Sequence, residues 1–342
     1  MNSSRRLGEL RRDLTSLAGR PSHSGDHDTA RGRDAERPSE IPSRGWLDVI
    51  WRAWGEVGDA NLFLVAGGVT YAVLLALFPG LAALIALYGL VLDPSQIEQQ
   101  VAALSGVLPE QTRQLLVDEL HKLAAASNSM LGLSAIVGLL IAIWSASRGM
   151  SGTITALNIA YEEKEGRGFI KLNLVAVALT LIFMVGGLLV IALIAGAPAA
   201  VELVSAAAAT KWFVLVLEWP LMIIVVMAGL AVLYRYAPDR AKPQWRWVSP
   251  GAIVATTLWI VASIGFTIYV ANFNSYDKTY GSLGGVVILL TWLYLSALMV
   301  LFGAAINAQS EKQTRKDSTE GPPARMGDRH ARAADVLGPT RD

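Results

Sequence analysis

The chain has 342 residues, 53% of them hydrophobic and 17% charged, with a formal net charge of +1 and no cysteine. Soluble domains run near a quarter charged, so long apolar runs are expected. The near-neutral balance argues against a nucleic-acid partner held by bulk charge, and the missing cysteine excludes disulfides, thiolate metal sites and cysteine nucleophiles.

In chain order, "MNSSRRLGELRRDLTSLAGR" has no apolar stretch after its arginines, so no cleavable secretory signal is expected. Residues 1–44 are rich in Arg, Asp, Ser, Gly and Pro without a periodic apolar face, and they read as a disordered tail. In "GWLDVIWRAWGEV", Leu47, Ile50, Trp51 and Trp54 share one helical face. That face either lies on a membrane surface or packs on a bundle.

Six apolar spans follow, at about 62–91, 131–147, 172–196, 212–233, 249–271 and 284–306. Roughly 20 residues of helix cross a ~30 Å hydrocarbon core. Helices suit lipid because each satisfies its own backbone hydrogen bonds. The expected fold is therefore all-α: a polytopic membrane domain over 45–308 with six transmembrane helices and short amphipathic interfacial helices. The first span contains Pro79-Gly80, where a kink or tilt is expected. Between the first two spans, Ile97, Val101, Leu104 and Leu108 recur at helical spacing, as do Leu116, Leu120 and Leu123, with Pro109 between them. Residues 309–342 read as a second disordered tail.

Orientation follows from Lys and Arg. Thirteen flank one side: Arg44, Arg52, Arg148, Lys164, Arg167, Lys171, Arg235, Arg240, Lys242, Arg246, Lys312, Arg315 and Lys316. Four flank the other: Arg113, Lys122, Lys211 and Lys278. Both termini are expected on the cytoplasmic side.

Candidate chemistry is sparse. The four histidines are His23, His27, His121 and His330, all outside the spans. None sits with carboxylates at metal-ligand spacing, and no P-loop, G-x-S-x-G or dinucleotide fingerprint is present. No cofactor and no enzymatic activity are expected. Glu218 is the one ionisable candidate in the spans; a helix starting at Pro220 would leave it interfacial among Trp212 and Trp219, and one starting at Trp212 would bury it in part. Uncharged polar residues are commoner: Thr70, Tyr71, Ser147, Thr256, Thr291, Tyr294, Ser296 and Asn307. They serve either as helix–helix contacts or as the lining of a weakly polar cavity. Tyr276 and Tyr280 belong to an outer aromatic belt. Beside them Gly281, Gly284 and Gly285 open the last span. The Gly281-x-x-x-Gly285 step predicts a close crossing with a neighbouring helix.

The chain resembles the YihY/virulence factor BrkB family of bacterial inner-membrane proteins. The likeness covers about residues 46–310. It rests on "AGGVTYAVLLALFPGL", "IWSASRGMSGTITALNIAYEEKEGRGFIKL", "LYRYAPD" followed by "WVSPGAIVATTLWIVASIGFTIYVANF", and "YGSLGGVVILLTWLYLSALMVLFGAAINA". The resemblance implies six helices with both termini inside. It also matches Asn158, Tyr161, Glu162 and Arg167 to the polar positions of a cytoplasmic segment, which is either a helix cap with local ion pairs or a gate or docking elbow. The family commonly has an acid where this chain has Ala305, so proton coupling through that acid is not expected. The family's older label, a tRNA-processing ribonuclease BN, has no supporting residue set here. The functions left open are a permease or exporter of a lipid-like or small polar solute, and a non-transporting envelope scaffold. Membrane lipid is the expected partner, and a homo-oligomer is open.

Overall fold

The computed structural model describes residues 30–89, 133–203, 208–272 and 284–341, with side chains within 30–84, 136–194, 219–271 and 284–341. The described elements are α1 Ser43–Asp59, α2 Leu62–Gly89, α3 Leu133–Ala160, α4 Phe169–Leu203, α5 Ala208–Tyr236, α6 Trp245–Asn272, α7 Gly284–Glu311 and the short α8 Arg332–Asp335. A single 3-10 turn, Pro38–Glu40, precedes α1. The expected helices around Ile97–Leu108 and Leu116–Leu123 lie outside the described residues.

Among the described residues, five stretches are long and apolar enough to cross a membrane: Leu62–Leu84, Phe169–Ile194, Trp219–Tyr236, Trp245–Ala271 and Gly284–Glu311. No more than 22% of the apolar window in any of them is buried. Most of their apolar side chains therefore keep some surface uncovered by the rest of the chain, which water penalises and hydrocarbon tolerates. α3 is equally long at 28 residues but is not one of the five. Its C-terminal half carries Arg148, Ser151, Thr153 and Thr155.

Consecutive helices from α2 to α7 pack on one another, and α7 returns to α2, which closes a ring. α1 lies against α7 and α2. The closest crossings use small residues. A Cβ added at Gly149 or Gly152 of α3 would stand 2.6 or 2.8 Å from Ala76 or Ala72 of α2. At the α6–α7 crossing, a Cβ on Gly303 would stand 2.6 Å from the Gly251 carbonyl and 2.5 Å from the Tyr234 hydroxyl.

This corrects the expectation at the start of the last span. Gly285 is exposed and a Cβ there would meet nothing within 4 Å. Gly284 is buried, and Gly281 lies outside the described residues. The hairpin of α6 and α7 does close tightly, but at Gly251 and Gly303, toward the other end of α7. α2 runs through Pro79 as one helix. One further expectation changes: α5 begins at Ala208, upstream of Pro220. A start at Pro220 is thereby overturned, while the Glu218 side chain lies outside the described residues.

The tails differ most. Gln309, Ser310, Glu311, Gln313, Thr314, Ser318 and Arg329 are buried, and so is Arg33. The disorder expected for 309–342 and for the last residues of 1–44 does not hold over 309–341 and 30–44, and α7 crosses the expected boundary at 308 without a break. Composition reads these polar groups as solvated, yet they find partners. Arg33 donates to the carbonyls of Lys312 at 3.3 Å and Gly338 at 2.7 Å. Arg52 donates to Gln309 Oε1 at 3.1 Å, Gln313 Oε1 at 2.7 Å and the Pro339 carbonyl at 2.8 Å. Asp48 accepts from Arg31 at 2.9 Å and from the Arg341 amide at 3.0 Å. Burial first, then the neighbouring Arg33 charge, lowers the Arg52 pKa to about 10.

Candidate functional site

The polar groups singled out in the sequence converge at the end of the bundle where α3, α5 and α7 finish. α3 stops with a left-handed residue, Glu162 at φ +57°. The Glu162 amide bonds to the Ile159 carbonyl at 3.0 Å and the Glu163 amide to the Asn158 carbonyl at 2.8 Å. This is the paired 5→2 and 6→1 closure of a Schellman end, which glycine usually makes. A glutamate there carries a steric cost, and its side chain makes use of the position. Glu162 pairs with Lys312, and accepts from Arg332 Nε at 2.9 Å. Burial pushes the Glu162 carboxyl up, but the hydrogen bonds and charges of Lys312 and Arg332 outweigh it and hold the pKa below its ordinary value.

Asn158 is buried and joins two elbows. Its Nδ2 donates to Glu165 Oε2 at 2.9 Å, and its Oδ1 accepts from the Asp239 amide at 2.8 Å. Arg167 donates to Glu165 at 2.8 and 2.7 Å and to the Ala237 carbonyl at 2.8 Å. The α3–α4 elbow is thus sewn to the α5–α6 elbow. The Arg167 hydrogen bond, above all, lowers the Glu165 pKa.

Asn307 and Tyr161 form the next layer. Asn307 Oδ1 accepts from the Gly251 amide at 2.7 Å, while Nδ2 donates to the Tyr161 hydroxyl and the Val248 carbonyl, both at 3.2 Å. Burial, far more than any charge, pushes the Tyr161 hydroxyl well above its ordinary range. Arg240 lies over the Tyr161 ring at 5.1 Å and makes a two-pronged pair with Glu311 at 3.0 and 2.6 Å. Ser318 of the C-terminal segment donates to the same carboxylate at 2.6 Å. Sequence reasoning missed Arg240, Glu311 and Ser318. The first was read only as a topology charge, and the other two fell in an expected tail. Ala305, where the family's acid is usual, is fully buried; in this chain the buried acid comes from Glu311.

Each of these carboxylates is held by a cation or an amide. Among the described residues no group of three or more His, Asp or Glu side chains converges to hold a metal. What the arrangement does chemically is close one end of the bundle with a network of paired charges and hydrogen bonds.

The other candidates scatter. Thr70 is buried and donates to the Ala66 carbonyl at 2.7 Å, and Ser147 donates to the Trp144 carbonyl at 2.7 Å. Tyr71 is exposed, and Pro79 sits inside α2. Tyr276 and Tyr280 lie outside the described residues.

Thr70 does line a cavity inside the ring. Its volume is about 210 Å³, and its walls come from α2, α3, α4, α5 and α7, including Val73, Met150, Thr153, Phe183 and Leu301. A more open groove of about 280 Å³ shares Val73, Met150, Thr153 and Phe183 and continues between α2, α3 and α4 past Thr180. The lining hydroxyls are turned to their own helices: Thr153 to Gly149 at 3.1 Å, Thr180 to Ala176 at 2.7 Å, and Ser296 to Trp292 at 2.8 Å. The surface left for an occupant is therefore apolar.

The family model described as virulence factor BrkB matches residues 53–327. The ribonuclease-like protein YfkH of Bacillus subtilis is 32% identical over 252 residues, 72% of this chain and 89% of that protein. A UPF0761 membrane protein of Tolumonas auensis is 40% identical over 82 residues, 24% of this chain and 27% of its own length. Another, of Alteromonas mediterranea, is 37% identical over 100 residues, 29% and 34% respectively. No solved structure matches the chain. Long apolar helices and these matches agree, and the chain belongs to the virulence factor BrkB family of membrane proteins.

Proposed function

We propose that this protein is a six-span permease or exporter for a lipid-like molecule in the bacterial inner membrane, with both ends cytoplasmic. The observation that carries this reading is the apolar cavity at the centre of the ring, whose hydroxyls are already bonded to helix carbonyls. Such a surface suits an acyl or isoprenoid chain better than a small polar solute, whose buried polar groups would go unpaired. α3 supplies the sixth span. The buried polar network then stands as the closed cytoplasmic gate. The exposed Leu47, Ile50, Trp51 and Trp54 face of α1 supports its lying at the membrane interface. The ribonuclease-like wording in the name of YfkH does not transfer, because the residues gathered here are spent on one another.

Flux of fluorescent lipids in proteoliposomes tests the function. Transport should be measurable with the wild type and abolished by Met150→Trp, which fills the chamber shared by cavity and groove. Wild-type vesicles that move no lipid faster than empty ones would favour the scaffold reading. Topology is tested separately with single cysteines in this cysteine-free chain. Ser310 is buried, so exposed Asp328 is the position of choice. An impermeant thiol reagent should label Ser129→Cys in spheroplasts and spare Asp328→Cys; the reverse pattern inverts the orientation.

A further inference from the structure

Val137, Ile141, Trp144 and Arg148 recur at steps of four, three and four residues and form one stripe of α3. All four are exposed. The stripe is apolar until its last member, a guanidinium. One Arg148 nitrogen, Nη1, donates to Asn173 Oδ1 on α4 at 3.0 Å, and the guanidinium stands 5.6 Å from the Trp144 ring centroid. Asn173 is itself buried and fixed, because its Nδ2 donates to the Phe169 carbonyl at 2.7 Å. Among the described residues no carboxylate pairs with Arg148.

Height along the bundle matters next. Asn173 lies four residues into α4, whose membrane-length stretch opens at Phe169. Ile170 and Leu174, on the same turns, are 82% and 67% exposed. The cation therefore sits where outward apolar surface begins, at headgroup level. A guanidinium has five N–H donors in a planar fork, and the fork matches two oxygens of a phosphate.

We propose that Arg148, positioned by Asn173 and Trp144 on the outward seam of α3 and α4, binds the phosphate of an anionic phospholipid headgroup. The positive charge of Arg148 favours a headgroup with net negative charge over a zwitterion, whose amine it repels. The site lies on the outside of the ring and is independent of the cavity. It rests on α3 being a membrane span. Failure of the topology test would remove that premise, whereas lipid binding that ignores Arg148 would remove this site alone.

The test uses the delipidated full chain in detergent, titrated with phosphatidylglycerol, phosphatidylcholine or inorganic phosphate and read by native mass spectrometry. The wild type should bind phosphatidylglycerol in preference to phosphatidylcholine. Arg148→Gln should bind phosphatidylglycerol roughly tenfold more weakly, the loss expected for one charge-assisted contact. Arg148→Lys should fall between them, and Lys164→Gln, which removes an exposed elbow charge, should match the wild type. Melting curves without lipid check that the variants fold. If Arg148→Gln does not fold, Arg148→Lys decides, and unchanged affinity there overturns the guanidinium fork. Equal binding of the two lipids by the wild type, or wild-type affinity in Arg148→Gln, overturns the proposal. Displacement of phosphatidylglycerol by millimolar inorganic phosphate assigns the site to an aqueous anion and overturns the lipid source.

Discussion

Arg240 and Glu311 face each other in a two-pronged ion pair, at 3.0 and 2.6 Å, with neither side chain exposed at all. Water is excluded from both partners, so the cost of desolvation has already been met by the fold and the pair is hard to break one-sidedly. Removing one charge strands the other. Glu311→Gln should destabilise the detergent-solubilised protein by about 3–5 kcal/mol. Replacing both, as Arg240→Met with Glu311→Leu, should cost much less than the two single changes added together. Urea or thermal unfolding of the four proteins in a double-mutant cycle measures this. Additive losses would mean that the two groups do not act as a pair.

The α6–α7 crossing gives a contrast between two glycines on neighbouring helices, Gly251 of α6 and Gly285 of α7. A Cβ at Gly251 would overlap the Gly303 carbonyl and the Asn307 side chain, whereas one at Gly285 meets open space. Gly251→Ala should lower stability by at least ~1–3 kcal/mol, the usual cost of overpacking. Gly285→Ala should be neutral or mildly stabilising, since alanine is the better helix former. Melting temperatures of the two variants settle the matter, and a drop at Gly285 would restore the crossing expected at the start of α7.

Glu56 of α1 carries a pH signature. Burial first, and then the charge of Glu162, raise its pKa to about 6. A carboxyl whose folded pKa exceeds its unfolded value binds a proton in the folded state first, so folding gains stability as pH falls through about 6 toward the ordinary carboxylate range. At pH 7.5 the ionised group is a penalty. Glu56→Gln should therefore raise the melting temperature at pH 7.5, with the gain shrinking as the pH falls through about 6 and vanishing only below the ordinary carboxylate pKa. A gain that is constant across that range would show that charge is not its cause.

Truncation after Glu311 should uncap the polar end. It removes the Lys312, Gly338 and Pro339 carbonyls that satisfy Arg33 and Arg52, the Ser318 bond to Glu311 and both cationic partners of Glu162. Buried donors left unpaired cost about 1–3 kcal/mol each. Limited proteolysis should then cut the α3–α4 elbow, around Glu162 to Gly168, in the truncated protein faster than in the full chain. Equal cleavage rates would make the C-terminal segment a bystander.

Period, length and composition were enough to show a helical membrane protein. Those signals are local: a run of about 20 apolar residues needs no partner to declare its solvent. The family motifs likewise marked Asn158, Tyr161, Glu162 and Arg167 as one polar segment, and at that end of the bundle Asn307 of the last helix joins them through Tyr161. What the sequence by itself could not supply was pairing across distance. Glu311 and Ser318 look like tail residues until α7 runs to Glu311 and the chain turns back, and Arg240 looks like a topology charge until it lies against Tyr161. Gly251 and Gly303 stand 52 residues apart with no shared spacing rule, while Gly281-x-x-x-Gly285 shows the expected rule where a Cβ at Gly285 meets nothing within 4 Å among the described residues. A crossing point depends on where two helices touch, and a buried charge depends on which partner reaches it. Both are properties of the packed ring, decided by steric fit and by the need to satisfy every buried polar group, and neither is written in any one segment.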